Sequence, residues 1–294
     1  MTFYDMPLWR PPSEGPNLII QATLGCSFNA CTFCSMYKTK SYRSRPLHDV
    51  FEDIEAAALD RPDAARVFLA DGDALVLPTD ELLHILDKLA ATFPALQRVT
   101  CYATPLNLNK KSVSELELLR KKRLNMVYLG LESGSGEILK RVHKGTAQAM
   151  ERAMARADQA GLKVSATMIL GLGGQGHWRE HIEQTAKLIN RQSPRYLSTL
   201  QLGLDEAVKD SFLAAFAKGG DAFQSQDDQG VLDELELLLQ NLNPPRPIIF
   251  RSNHGSNCLP LAGNLPKDTP RLLGEIRAAK AGFSSLRPPH LRRF

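Results

Sequence analysis

No apolar stretch in this 294-residue chain approaches the length needed to span a bilayer. Nor does its N-terminus hold a signal-peptide core, since Met1 to Gly15 contains two acids and three prolines. A cytoplasmic protein without a membrane partner is the resulting expectation. Cysteine is scarce, at five residues, which excludes the disulfide framework of a small secreted domain. Charge of one sign is scarce too, with a net +4. The basic runs, Arg120 to Arg123 and Arg287 to Arg293, lack the interleaved aromatics of a nucleic-acid groove, so nucleic acid is not an expected partner. No solenoid repeat is visible. What is present is ordinary: 43% hydrophobic and 23% charged residues, enough for a sizeable core in one large α/β domain or two small ones.

The few cysteines are not scattered. Cys26, Cys31 and Cys34 lie in Leu24-Gly25-Cys26-Ser27-Phe28-Asn29-Ala30-Cys31-Thr32-Phe33-Cys34-Ser35-Met36-Tyr37, with four residues and then two between them. Three thiolates on one loop can hold three corners of a cubic iron–sulfur cluster, and because such clusters normally take four, one iron stays open. A structural zinc site would need a fourth ligand at finger spacing, and none stands there. From spacing alone the cluster, a zinc site and incidental thiols all remain readings.

Buried strands are expected over 17–23, 66–70, 97–103, 126–131, 162–170 and 195–202, from short apolar runs bounded by glycine, proline or acids. Helical periodicity fills 47–59, 79–93, 114–123, 146–161 and 177–190, with Thr79 read as an N-cap and Ser114 with Glu117 as a capping box. Strand alternating with helix implies a parallel sheet with helices outside. Functional groups should then gather at the strands' carboxyl ends. The cysteine loop, Asp71-Gly72-Asp73, Glu132-Ser133-Gly134 and the glycines from Gly171 all fall there. Beyond Leu202 the alternation lapses into helices over 205–218 and 231–242, a closing strand over 247–250, a helix over 268–281 and a basic tail read as flexible.

The chain resembles the radical S-adenosylmethionine (radical SAM) superfamily, in particular the core shared by the Elongator catalytic subunit, tRNA methylthiotransferases and oxygen-independent coproporphyrinogen oxidases. The resemblance covers 18–202. It rests on the cysteine loop with Phe33 before its last cysteine, Leu69-Ala70-Asp71-Gly72-Asp73, Leu129-Gly130-Leu131-Glu132-Ser133-Gly134-Ser135, and Ile169-Leu170-Gly171-Leu172. It implies an open six-stranded (β/α)6 partial TIM barrel over 1–204, with a helical and strand extension over 205–294 completing a substrate cavity. It also implies a [4Fe-4S] cluster on the three cysteines, with S-adenosylmethionine chelating the fourth iron. One electron from the cluster then splits the sulfonium into methionine and a 5′-deoxyadenosyl radical that takes hydrogen from substrate. The resemblance assigns Asp71, Gly72 and Asp73 to the methionine amino group and Glu132, with Ser133 beside it, to that group or the ribose. It gives Lys144 the carboxylate, Thr167 and Gly171 the ribose and adenine, and Phe33 the adenine through its backbone. Two departures stand out: the first cysteine spacing is four where three is common, and Asp73 replaces a glutamate.

Only Cys101 and Cys258 remain, too few for an auxiliary cluster, and with 25 residues before Cys26 no cobalamin domain is expected ahead of the core. Donors and acceptors concentrate after the closing strand, in Arg251-Ser252-Asn253-His254-Gly255-Ser256-Asn257-Cys258. Arg251, Ser252, Asn253, His254 and Asn257 are read as substrate-binding, and His254 and Cys258 as catalytic proton or hydrogen-atom donors. The expected activity is hydrogen abstraction from a small metabolite or cofactor precursor, fed by a reductant such as flavodoxin or ferredoxin. The alternatives are tRNA modification and a non-catalytic iron–sulfur carrier or sensor.

Overall fold

The computed structural model describes residues 4–293; residues 1–3 and 294, the outer ends of the two expected segments, lie outside the described residues. Ten strands are assigned: β1 Leu18–Gln21, β2 Thr23–Leu24, β3 Arg43–Ser44, β4 Arg66–Ala70, β5 Arg98–Ala103, β6 Leu124–Glu132, β7 Lys163–Leu170, β8 Tyr196–Gln201, β9 Ile248–Ser252 and β10 Leu261–Leu265. The helices are α1 Leu47–Asp60, α2 Thr79–Thr92, α3 Pro105–Lys110, α4 Val113–Lys121, α5 Gly136–Arg141, α6 Ala147–Gln159, α7 Gly174–Arg191, α8 Glu206–Ala217, α9 Asp228–Asn241 and α10 Thr269–Lys280.

Eight strands make one sheet in the order β1-β4-β5-β6-β7-β8-β9-β10, where six core strands and a closing strand, here β9, were expected, and β2 pairs with β3 in a small ribbon. The six expected strands are all present. β9 adds in parallel to β8, and β10 returns antiparallel along β9. Pro247 precedes β9 and so removes no ladder bond. β10, Leu-Ala-Gly-Asn-Leu, carries no β-branched residue and a central glycine, which is why it leaves no strand signal in the sequence.

The chain packs as two compact units interleaved in sequence. The first runs to Asn29 and adds Cys34–Leu129 and Arg152–Val164. β1 and β4 are buried almost throughout, as strands covered on both faces must be. Phe68, Tyr102 and Tyr128 meet edge-on with ring centroids 5.2–6.2 Å apart. Two helix starts differ from expectation. Ser112 and Glu115 form the capping box of α4, two residues before the expected pair. Thr79 is the first residue of α2, and its hydroxyl donates to Glu115 at 2.7 Å. The run Ser112-Val113-Ser114-Glu115-Leu116-Glu117 holds two overlapping Ser-x-x-Glu patterns, and the Thr79 bond favours the earlier.

The second unit comprises Ala30–Phe33, Gly130–Glu151 and Ser165–Phe294, so the extension after 204 packs in one body with the chain from Ser165. Its apolar centre joins Ile138, Val142, Ile169, Leu172, Phe212 and Phe216, with Phe33, Leu202, Leu204 and Phe223 against it. The basic tail, expected to be flexible, is tied down. Arg292 pairs with Asp228 through two bonds of 2.7 and 2.6 Å, and Arg287 donates to the carbonyls of His254, Gly255 and Asn257. The charges of Arg287 and Arg292 are used within the fold.

Candidate active site

In the first unit the cysteine loop is fastened at its base by the turn after β4. The Asp71 carboxylate, fully buried, accepts from the Gly25 N–H at 3.0 Å and from the Lys40 ammonium at 2.7 Å, with Gln21 at 3.4 Å. Gly72 donates its N–H to the Gly25 carbonyl at 3.1 Å. A methyl at position 72 would stand 2.7 Å from the Tyr37 ring and 2.9 Å from Cβ of Cys26, so only glycine lets the loop seat against this turn. Asp73 accepts from Ser27 and from Asn107, the latter on α3. Asp71 is thereby spent on Lys40 and the loop backbone, which corrects its expected role toward a methionine amino group. Asp73 is as fully buried as Asp71, and Gly72 shapes the turn that seats the loop.

Cys26 and Cys34 are half-buried and Cys31 is buried. None of the five cysteines is in a disulfide. Among the described residues no three His, Cys, Asp or Glu side chains close around a single-ion site. A cubane asks for a different arrangement, because each thiolate binds its own iron and the sulfurs stand farther apart than the ligands of one ion. Three half-buried or buried thiols on a loop anchored by buried bonds fit that group by their donor chemistry.

The second unit holds the middle of the same loop and the polar groups after β6. The Thr32 N–H donates to the Val142 carbonyl, and Phe33 packs on the apolar centre. Glu132, at φ 59°, and Lys144 form a nearly buried ion pair at 3.1 Å. A Cβ at Gly130 would lie 2.0 Å from Oε1 of Glu132 and 3.0 Å from Nζ of Lys144, so this glycine makes room for the pair. Glu132, expected at the methionine amino group or the ribose, and Lys144, expected at the methionine carboxylate, are thus side by side. An adjacent ammonium and carboxylate complement a zwitterion.

Ser133 is held from behind. His181 Nε2 donates to the Ile169 carbonyl at 2.9 Å, which leaves Nδ1 to accept from the Ser133 hydroxyl at 2.7 Å. Burial pushes the His181 pKa down to about 4, so the ring is neutral. Gly134 donates to Thr185 at 2.7 Å, and a Cβ there would strike the α7 backbone at 2.4 Å. Ser133 therefore acts in shaping the turn. The Gly171 N–H donates to Glu234 at 2.7 Å; Glu234 is fully buried on α9, and burial raises its pKa to about 7. Thr167 is half-buried, with Ser198 opposite it on β8 and Arg251 opposite Ser198 on β9.

After β9 the expected substrate residues divide. Arg251 and Asn253 are exposed and His254 is partly buried. Asn257 is buried: it donates to the Thr199 carbonyl at 2.8 Å and to Ser252 at 3.1 Å, and accepts from the Gln201 N–H at 2.7 Å. Ser252 and Asn257 thus clamp β8 to β9 instead of facing a substrate. Cys258 has no exposed surface, which takes it out of reach of an incoming substrate, although burial pushes its thiol up to about 11 and so keeps it protonated. Arg251, Asn253 and His254 remain. Lys40, Asn107, Gly130, His181 and Glu234 escaped the sequence reading. Glu234 alone left a signal, since it shares the apolar phase of α9 with Val231, Leu235 and Leu238.

A model of the radical SAM superfamily matches residues 20–189. The chain belongs to the radical SAM superfamily. Members of it use a [4Fe-4S] cluster and S-adenosylmethionine, and the four motif segments and the three cysteines all lie within the matched region. A provisionally named methylthiotransferase of Methanocaldococcus jannaschii is 28% identical over 166 residues, which is 53% of this chain and 36% of that protein. Coproporphyrinogen III oxidase of Escherichia coli superposes with a TM-score of 0.56 at 19% identity, over 76% of this chain and 52% of that one. Methylornithine synthase gives 0.54 at 14% identity, over 88% and 68%. The methyltransferase TsrM of Kitasatospora setae gives 0.51 at 18%, over 64% and 37%. At such identities the likeness is one of fold. The chain spans about a third of the length of the first of these relatives.

Proposed function

We propose that this chain is a radical SAM enzyme acting on a small metabolite or cofactor precursor. Cys26, Cys31 and Cys34 would hold the cluster, and Gly72, Asp73, Glu132, Lys144, Thr167 and the backbone at Phe33 and Gly171 would hold S-adenosylmethionine. Once bound, that pair of cofactors supplies a 5′-deoxyadenosyl radical that takes hydrogen from substrate. The observation that carries this reading is the buried anchoring of the cysteine loop on Gly72 and Asp71, within a region matching the superfamily.

The residues divide the work by charge. The Glu132 carboxylate offers an acceptor to an amino group, and the Lys144 ammonium offers a partner to a carboxylate. Arg251 stands in one cross-strand row with Ser198 and Thr167, which supports a role toward an anionic substrate group. His254 is proposed as a proton donor to substrate; burial and Arg287 lower its pKa, which favours release of its proton. The proposed setting is a cell interior supplied with a flavodoxin- or ferredoxin-like reductant.

Anaerobic reconstitution with iron and sulfide, followed by reduction with dithionite, tests the reading. About four irons per chain and release of 5′-deoxyadenosine are expected. Zinc in place of iron, or a cluster without nucleoside release, would reject it, the latter in favour of a carrier or sensor. A second reading, tRNA modification, is favoured only by the methylthiotransferase name of the relative. Against it, Arg287 and Arg292 are engaged within the fold. Salt-dependent binding of bulk tRNA would support it.

A further inference from the structure

The last four strands of the sheet, β7 to β10, have unlike faces. Side chains alternate along a strand, so residues two apart share a face and residues in register stand side by side. One face is apolar and sealed: Met168, Leu197 and Phe250 have no exposed surface. The other face is built of hydroxyls. Ser165 and Thr167 of β7 stand beside Tyr196 and Ser198 of β8, and Arg251 of β9 continues the row of Thr167 and Ser198.

These hydroxyls are not spent on the protein. Among the described residues, the side chains of Ser165, Thr167, Tyr196 and Ser198 make no hydrogen bond. Ser165 is only 6% exposed and the other three are partly buried. A hydroxyl withdrawn from water without a protein partner carries a desolvation cost that a bound ligand relieves. The contrast with the sealed face is direct, since there Asn257 and Ser252 bond each other and the strand backbone.

Charge on this face has one sign. None of the four strands contains an aspartate or glutamate. The Arg251 guanidinium donates to the Phe250 carbonyl at 2.8 Å and, among the described residues, pairs with no carboxylate. Asp268, which follows β10, is occupied by the Asn264 N–H at 2.7 Å and by Arg271 at 3.8 Å. Neighbouring strands lie about 4.8 Å apart and alternate residues about 6.6 Å apart, so the four hydroxyl positions frame a patch the size of one sugar ring. Arg251 stands one strand beyond it.

We infer that Ser165, Tyr196, Ser198 and Arg251 bind the substrate, and that the substrate is a monosaccharide-sized polyol bearing one anionic group, a phosphate or a carboxylate. The inference deepens the function proposed above and rests on it. Thr167 is assigned there to S-adenosylmethionine, and it stands opposite Ser198 on the neighbouring strand, so a polyol held by Ser198 lies beside the cofactor. Each protein hydroxyl both donates and accepts, as a polyol's hydroxyls do. An amino-acid substrate would want an acid for its ammonium, and the strands supply none. RNA would want several cations along its backbone, and this face has Arg251.

The test titrates the reconstituted protein, with S-adenosylmethionine bound and no reductant, by calorimetry. The probes are glucose 6-phosphate, ribose 5-phosphate, gluconate, glucose and inorganic phosphate. At least one of the three anionic sugars should bind ten or more times tighter than both glucose and phosphate; a phosphorylated sugar or gluconate in that place identifies the anionic group. Arg251→Gln should weaken that ligand at least tenfold, and Ser165→Ala, Tyr196→Phe and Ser198→Ala at least threefold each. Lys187→Ala, an exposed position on α7, should change nothing. Binding by none of the three sugars, phosphate bound as tightly as they are, wild-type affinity in Arg251→Gln, or bulk tRNA binding lost in that variant would each overturn the inference. Failure of the underlying function is distinct: wild type would then release no 5′-deoxyadenosine with dithionite, whichever probe it binds.

Discussion

Lys40 is the side chain on which most of the cysteine-loop geometry converges. Its ammonium neutralises a carboxylate with no solvent exposure and takes two further carbonyls. Replacing it by methionine strands the Asp71 charge in the interior, and breaking such a buried pair costs about 3–5 kcal/mol. Urea denaturation of Lys40→Met should show a loss of that order, and adding Asp71→Asn should restore much of it. Gly130 makes a second point at this scale. In Gly130→Ala the new methyl overlaps Glu132, so the Glu132–Lys144 pair must separate. Equilibrium dialysis should show S-adenosylmethionine binding weakened at least tenfold, with the iron content of the reconstituted protein unchanged. Neither residue was legible in the sequence. Lys40 sits in a polar stretch with no periodicity, and a glycine inside a strand signals close approach without naming what approaches. The cysteines, by contrast, are legible because ligation fixes both residue type and spacing.

Among the elements, α7 and α9 act as backing plates for two strand-end turns, and each does so through one buried titratable group. Glu234 on α9 has a folded-state pKa near 7 against an unfolded 4.5. Below pH 4.5 both states are protonated and its contribution is complete; as pH rises from 4.5 through 7 only the unfolded state ionises, and stability is lost. Glu234→Gln keeps an acceptor for the Gly171 N–H and removes that loss. Its urea midpoint should rise relative to wild type between pH 4.5 and 7 and level off above, with a difference of about 3 kcal/mol. His181 on α7 has the opposite sign. Its folded pKa near 4 lies below the unfolded 6.5, so its contribution is complete above 6.5 and lost toward 4. Strand and helix order were readable because apolar period separates the two. Helix starts were not always so: Ser112 or Ser114 could each begin a capping box, and a bond from Thr79 in another helix decided between them.

For the whole molecule, the C-terminal tail shows how distant chain completes a local structure. Arg287 caps three carbonyls of the 254–258 loop, and its own N–H donates to the Cys258 carbonyl at 2.7 Å. A chain ended after Leu286 should expose Cys258, so that native-state thiol titration counts one more reactive cysteine than in the intact chain. What the sequence settled alone was the α/β class, the family motifs and the three-thiol loop, all of which follow from local period and from chemistry that tolerates few substitutes. Tertiary structure decided the rest. It turned Asp71, Ser252, Asn257 and Cys258 from candidate site residues into buried supports, added β10 to the sheet beside the expected closing strand β9, and bound the tail. Whether a polar side chain faces a ligand or the protein depends on which neighbours reach it first, and those neighbours lie mostly tens of residues away in the chain.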